Sequence, residues 1–116
     1  MMRPVLFVLK PSFADPKAGS GMFFCPHSAT VEGLLSFHPE LRERLDVRYV
    51  DFARPRREVI AELGEANQVC PVLILPRDWP EAVTTGRRAE GRTFFVGATE
   101  IATFLAGWAG TGMPHP

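Results

Sequence analysis

The residues with the clearest capacity for chemistry are Cys25-Pro26-His27-Ser28. They lie between the apolar run Val5-Leu6-Phe7-Val8-Leu9 and a helix-patterned segment ending near Phe37, so the Cys25 thiol stands at or just before a helix N-terminus. Peptide dipoles and unpaired N–H groups at such a terminus favour a thiolate, the form of sulfur that attacks disulfides and binds metals. The second thiol, Cys70, directly precedes Pro71. With His27, the two cysteines offer sulfur and imidazole ligands suited to zinc or copper. Three candidates without a fourth ligand make a poor metal set, and no metal is expected.

The elements that must position these residues follow from pattern. Val5 to Leu9 is a continuous apolar run of strand length, as expected of a strand covered on both faces. A long loop rich in Pro, Gly, Ser and Ala spans residues 10–24. Val31, Leu34, Leu35 and Phe37 form a helical stripe that stops at His38-Pro39, because a residue before proline is pushed out of helical geometry. Val47 to Asp51 reads as a second strand. Pro55 suits a first helical turn, Val59, Ile60 and Leu63 mark that helix, and Gly64 ends it. Val72 to Leu75 is a central strand and residues 76–91 a long connection or insertion. Thr93 to Val96 is strand-like, Gly97 opens a helix carrying Ile101, Ala102, Phe104, Leu105 and Trp108, and residues 110–116 are a tail. The order is β-α-β-α-β-β-α. Crossover helices imply parallel pairing, and the last two strands can be antiparallel.

This order, with Cys25-Pro26 opening the first helix and Pro71 the third strand, resembles the thioredoxin superfamily. Its glutaredoxin-like and glutathione-transferase N-terminal branches are the nearest. More narrowly, the whole chain resembles a small bacterial thioredoxin-like family of unknown function. The resemblance covers residues 4–109 and implies an α/β single-domain thioredoxin-like fold over 1–116, with a mixed four-stranded sheet and flanking helices. Within it Cys25 matches the nucleophile, and a proton-bearing His27 would favour its thiolate. Ser28 departs from the pattern: without a vicinal resolving thiol, Cys25 is left with monothiol chemistry through glutathione or a partner protein. Pro71 matches a proline that is cis in this superfamily, and Cys70 then faces the nucleophile. Cys70 could do the resolving if the two Cα atoms come within about 7 Å.

Gly97-Ala98-Thr99-Glu100 is similar to the glutaredoxin segment that holds the γ-glutamyl end of glutathione. The resemblance gives Thr99 and Glu100 that anchoring role, helix N–H groups meeting the carboxylate and the acid meeting the ammonium. Thr99 as a helix cap, with Glu100 in the first turn, is the alternative without a ligand. Asn67-Gln68 precedes Cys70 where transferase-like sequences contact the tripeptide, or it is a turn after Gly64. Arg87, Arg88 and Arg92 read as surface, and Arg54, Arg56 and Arg57 as a solvated helix start.

Composition bounds the remaining choices. At 116 residues the chain forms one domain with a core that needs no disulfides. Thirteen basic and thirteen acidic side chains cancel, leaving no overall footprint for nucleic acid or an anionic membrane. No window approaches the run of about 18 apolar residues of a membrane span. The sequence begins a strand directly without a leader, and cytoplasmic residence is the default expectation. Trp79, Trp108 and nine phenylalanines exceed what one small core must bury, which suggests a homodimer. The leading expectation is a glutaredoxin-like monothiol oxidoreductase using glutathione or a protein thiol or disulfide, with Cys25, His27 and Cys70 catalytic and Cys70, Pro71, Thr99 and Glu100 binding glutathione. The alternative is a non-catalytic interaction protein with a vestigial site. No substrate is named by the sequence.

Overall fold

The apolar run near the start becomes an interior strand because helices cover both of its faces. The structure, a computed structural model, describes residues 2–116. In chain order the strands are β1 (Val5–Leu9), β2 (Phe13–Ala14), β3 (Met22–Phe23), β4 (Asp46–Val50), β5 (Val72–Ile74), β6 (Arg87–Ala89) and β7 (Arg92–Val96). The helices are α1 (Pro26–Phe37), α2 (Leu41–Arg44), α3 (Arg57–Leu63) and α4 (Gly97–Ala109). Five strands make a mixed sheet in the order β4-β1-β5-β7-β6, with β1 parallel to β4 and the other pairs antiparallel.

Alternation along β1 divides the core. Leu6 and Val8 pack with Val31 and Leu35 of α1 and Ile101 and Leu105 of α4 on one face. Val5, Phe7 and Leu9 pack with Val59 and Leu63 of α3 on the other. Among the described residues no helix is long and apolar enough to cross a membrane.

The fold is thus an α/β single domain with a mixed sheet and flanking helices, but the sheet has five strands rather than four. The extra strand, β6, comes from the 76–91 connection, where Arg88 pairs with Thr93 in a hairpin with β7. Its alternation is polar on an edge, so it carried no apolar signal. The 10–24 loop likewise contains the two-stranded ribbon β2-β3, and Phe13 stacks on Phe52 with ring centroids 4.2 Å apart. Pro55 lies outside α3, whose cap is Arg56, and the Arg54–Pro55 peptide is cis.

Two arginines expected on the surface are buried. Arg92 donates to the Leu75 carbonyl at 3.0 Å and pairs with Glu62. Arg56 is only 6% exposed.

Candidate functional site

Cys25 caps α1. Its backbone is extended, its Sγ accepts a hydrogen bond from the Ser28 N–H at 3.5 Å, and Pro26 follows at a first-turn position where no N–H is needed. The half-buried thiol opens onto a cavity of about 260 Å³ walled by Val8, Leu9, Pro11, Phe24 and Tyr49. At the polar side of this cavity Tyr49 donates to Glu32 at 2.6 Å, and Arg42 reaches both. Burial and the Glu32 acceptor raise the Tyr49 phenol above its ordinary value.

Ser28 stands three residues on and is almost fully buried. Its Oγ accepts from the Leu9 N–H at 3.1 Å, closing the end of β1. The position where a second thiol would sit is therefore occupied by a hydroxyl with a structural partner.

Cys70 is buried in the α3-side cluster against which Cys25 packs, and both cysteines are free thiols. Beside Cys70 lies the guanidinium of Arg56, which donates to the Phe52 carbonyl at 2.7 and 3.1 Å and to the Gln68 carbonyl at 2.8 Å. The Arg56 N–H donates to Gln68 Oε1 at 2.9 Å. Arg56 is thus the fixed cation of the site, within electrostatic reach of both sulfurs, and burial pulls its guanidinium below the ordinary value. The sequence pattern assigns Arg56 to solvent. One signal could have found it: Arg56, Val59 and Leu63 follow a spacing of 3 and 7, extending the buried stripe of α3 by one turn.

Burial pushes the Cys70 thiol from 9.0 up to about 11, with Arg56 opposing. Between these values the folded chain keeps a proton that the unfolded chain has released, so rising pH favours unfolding. This contribution is fully present below pH 9.0 and lost as pH rises through about 11. Stability measured by urea unfolding is expected to fall by about 2–3 kcal/mol across that window, at ~1.4 kcal/mol per unit. Cys70→Ala removes the share due to Cys70, leaving the fall caused by Tyr49 and other groups. An identical fall in both proteins would exclude Cys70 as its source.

His27 makes a contact that the sequence did not indicate. Its Nδ1 accepts a hydrogen bond from the Ala98 N–H at 3.0 Å. The bond joins the start of α1 to the start of α4. Gly97, at φ +82°, makes the approach: the conformation suits glycine, and a Cβ there would sit 3.4 Å from His27 Nδ1. The Gly97 N–H donates to the Pro71 carbonyl at 3.0 Å, and the Cys70–Pro71 peptide is cis.

Two amides that the glutaredoxin resemblance offers to a ligand carboxylate, those of Gly97 and Ala98, are therefore spent within the protein. Thr99 is no cap; Val96 holds that position. Glu100 accepts from Arg87 at 2.6 and 3.2 Å and from the Val96 N–H at 3.2 Å, and Arg87 holds its carboxyl below the usual range. Thr99 and Glu100 line a second cavity, on the side of residues 76–91, and not the one at Cys25. Asn67 donates to the Leu63 carbonyl at 3.3 Å, closing the end of α3. Among the described residues no group of three or more His, Cys, Asp or Glu side chains stands together as metal ligands.

A family model described as "Protein of unknown function (DUF3088)" matches residues 3–113, which include both cysteines and the first turns of α1 and α4. The chain belongs to this family. No curated protein and no solved structure matches it. The candidate site of this DUF3088 chain lies at the start of α1. That site brings together Cys25, Cys70 and Arg56, latches His27 to α4, and keeps Thr99 and Glu100 apart.

Proposed function

We propose that this DUF3088 protein is a thioredoxin-like protein in which Cys25 performs monothiol disulfide chemistry with glutathione or a protein thiol. The observation that carries the reading is the contrast between the two ends of the Cys25–Ser28 segment. Cys25 is half-exposed at a helix cap and opens on an apolar cavity, while Ser28 is buried in a hydrogen bond to Leu9. Further support comes from the parallel β1/β4 pair followed by antiparallel β5 and β7.

In the proposed step the Cys25 thiolate attacks one sulfur of a disulfide. A Cys25 mixed disulfide forms, the original S–S bond breaks, and the departing thiolate takes a proton from water. A second thiolate, from glutathione, then attacks the mixed disulfide and releases Cys25. Arg56 is the charged wall behind the sulfurs. Glutathione anchored at Thr99 and Glu100 requires Arg87 to yield the Glu100 carboxylate.

Exposure to oxidised glutathione, followed by intact mass and peptide mapping, tests the assignment. One glutathione is expected on Cys25 in the native chain and in Cys70→Ser, and none in Cys25→Ser. A chain that stays unmodified, or is modified only at Cys70, would sink it. The engaged amides of Gly97 and Ala98 favour the second reading, a non-catalytic binding protein with a vestigial site. An unreactive Cys25 is its signature.

A further inference from the structure

The larger of the two cavities described above meets the proposed glutathione anchor only at Thr99 and Glu100. It encloses about 530 Å³ between α4 and residues 76–91, within the range of small-molecule sites. Its walls are Trp79, Phe95, Phe104 and Trp108, which touch one another: Phe95 and Phe104 lie 4.7 Å apart by ring centroid, and Trp79 and Trp108 5.5 Å apart. Both tryptophans of the chain are among them.

Gly107 indicates that the space is kept open. It lies inside α4, where glycine costs roughly 1 kcal/mol relative to alanine, and it lines the cavity. No atom lies within 4 Å of where its Cβ would stand, so no close packing demands glycine. Gly107 stands at the open, exposed edge of the cavity, where added side-chain volume meets no wall atom at its Cβ.

The charge of the lining selects the occupant. Arg87 is engaged by Glu100 through two hydrogen bonds, whereas Glu81 makes no ion pair among the described residues. One cation against two carboxylates leaves the lining with a net negative charge, and aromatic ring faces carry negative potential of the same sense. One ring face of Trp108 is taken by the Arg44 guanidinium, 4.1 Å from its centroid, which leaves Trp79, among the described residues, as the indole without a cation. We propose that this cavity binds a small organic cation, an amine or quaternary ammonium attached to an apolar or aromatic body. The ammonium lies against Glu81 and Trp79, and the apolar body lies along Phe104 and over Gly107.

The chain's two tryptophans both line the cavity, so their indole N–H signals in a ¹H–¹⁵N spectrum report on it directly. Benzyltrimethylammonium is the probe and phenylacetate, with the same ring and opposite charge, the control. Saturable shifts of both indole signals are expected with the cation, at an affinity about tenfold above that for phenylacetate. Glu81→Gln is expected to reduce that preference about threefold. Gly107→Leu fills the space and abolishes binding while the circular dichroism and urea midpoint are retained. If it does not fold, Thr103→Leu fills the cavity from an exposed position of the same helix. The proposal fails if the cation gives no saturable shift, if phenylacetate binds as well, or if a folded cavity-filling variant binds unchanged. It fails equally if light scattering reports a dimer whose dissociation alone moves the indole signals, since the occupant is then a second copy of the chain.

Discussion

Turnover of a mixed disulfide of glutathione and a small thiol is expected to fall roughly 10³-fold or more, to the uncatalysed rate, when Cys25 is replaced by serine. The reason is chemical: a hydroxyl neither attacks a disulfide at neutral pH nor forms the S–S intermediate from which the second thiol departs. The replacement is small, and the cap is retained because a serine oxygen accepts the Ser28 N–H as readily as sulfur does. Folding should therefore be nearly unchanged, which separates loss of the nucleophile from loss of structure. Cys70→Ser serves as the contrast. If Cys25 works alone, that variant keeps most of its activity in the presence of excess glutathione. If Cys70 resolves the intermediate, its loss lets the mixed disulfide accumulate. Equal activity in the native chain and in Cys25→Ser, measured in a coupled NADPH assay, would remove Cys25 from the mechanism.

The largest loss of stability is expected from Arg56→Met. The guanidinium is buried and makes three side-chain hydrogen bonds to the carbonyls of Phe52 and Gln68. Methionine fills much of the volume but supplies no donor, so two carbonyls near the thiols lose their partners at about 1–3 kcal/mol each. Part of this is returned because a charged group no longer has to be desolvated. A net loss of about 3 kcal/mol follows, which at a urea slope of roughly 1.5 kcal/mol per molar lowers the midpoint by about 2 M. Arg56→Lys is expected to recover little, since a compact ammonium lacks the fork that spans two carbonyls. Removing the cation also withdraws the stronger of the two positive charges, Arg56 and Arg54, that act on Cys70, driving that thiol higher still. A midpoint shift under 0.5 M in Arg56→Met would mean that the two carbonyls find other donors.

Most of the fold was legible because its signals were local and apolar. β1 and β5 were visible as unbroken hydrophobic runs, α1 and α4 as helical stripes, and the end of α1 as a proline. What escaped depended on partners distant in sequence. β6 is held by the edge it offers to β7, and β2 and β3 by each other and by Phe52, none of which leaves a periodic mark in a polar or glycine-rich stretch. The same limit governs the site. Cys25 was found from its place before a helix, a local feature. The burial of Arg56 and the contact of His27 with α4 were not legible because they depend on groups 12 and 71 residues away, through Gln68 and Ala98. Arg92 repeats the lesson: its charge pointed outward, and the Leu75 carbonyl and Glu62 drew it inward.

Ser28 has an implication for descent. Its hydroxyl is committed to Leu9, at the end of the strand from which the Cys25 loop departs. Cysteine introduced at this position would exchange a good acceptor for a weak one at a buried amide, leaving β1 frayed where the Cys25 loop begins. A one-step mutational path from this chain to a vicinal dithiol at Cys25 therefore passes through a less stable protein, and a second sulfur there needs a new way to finish the strand.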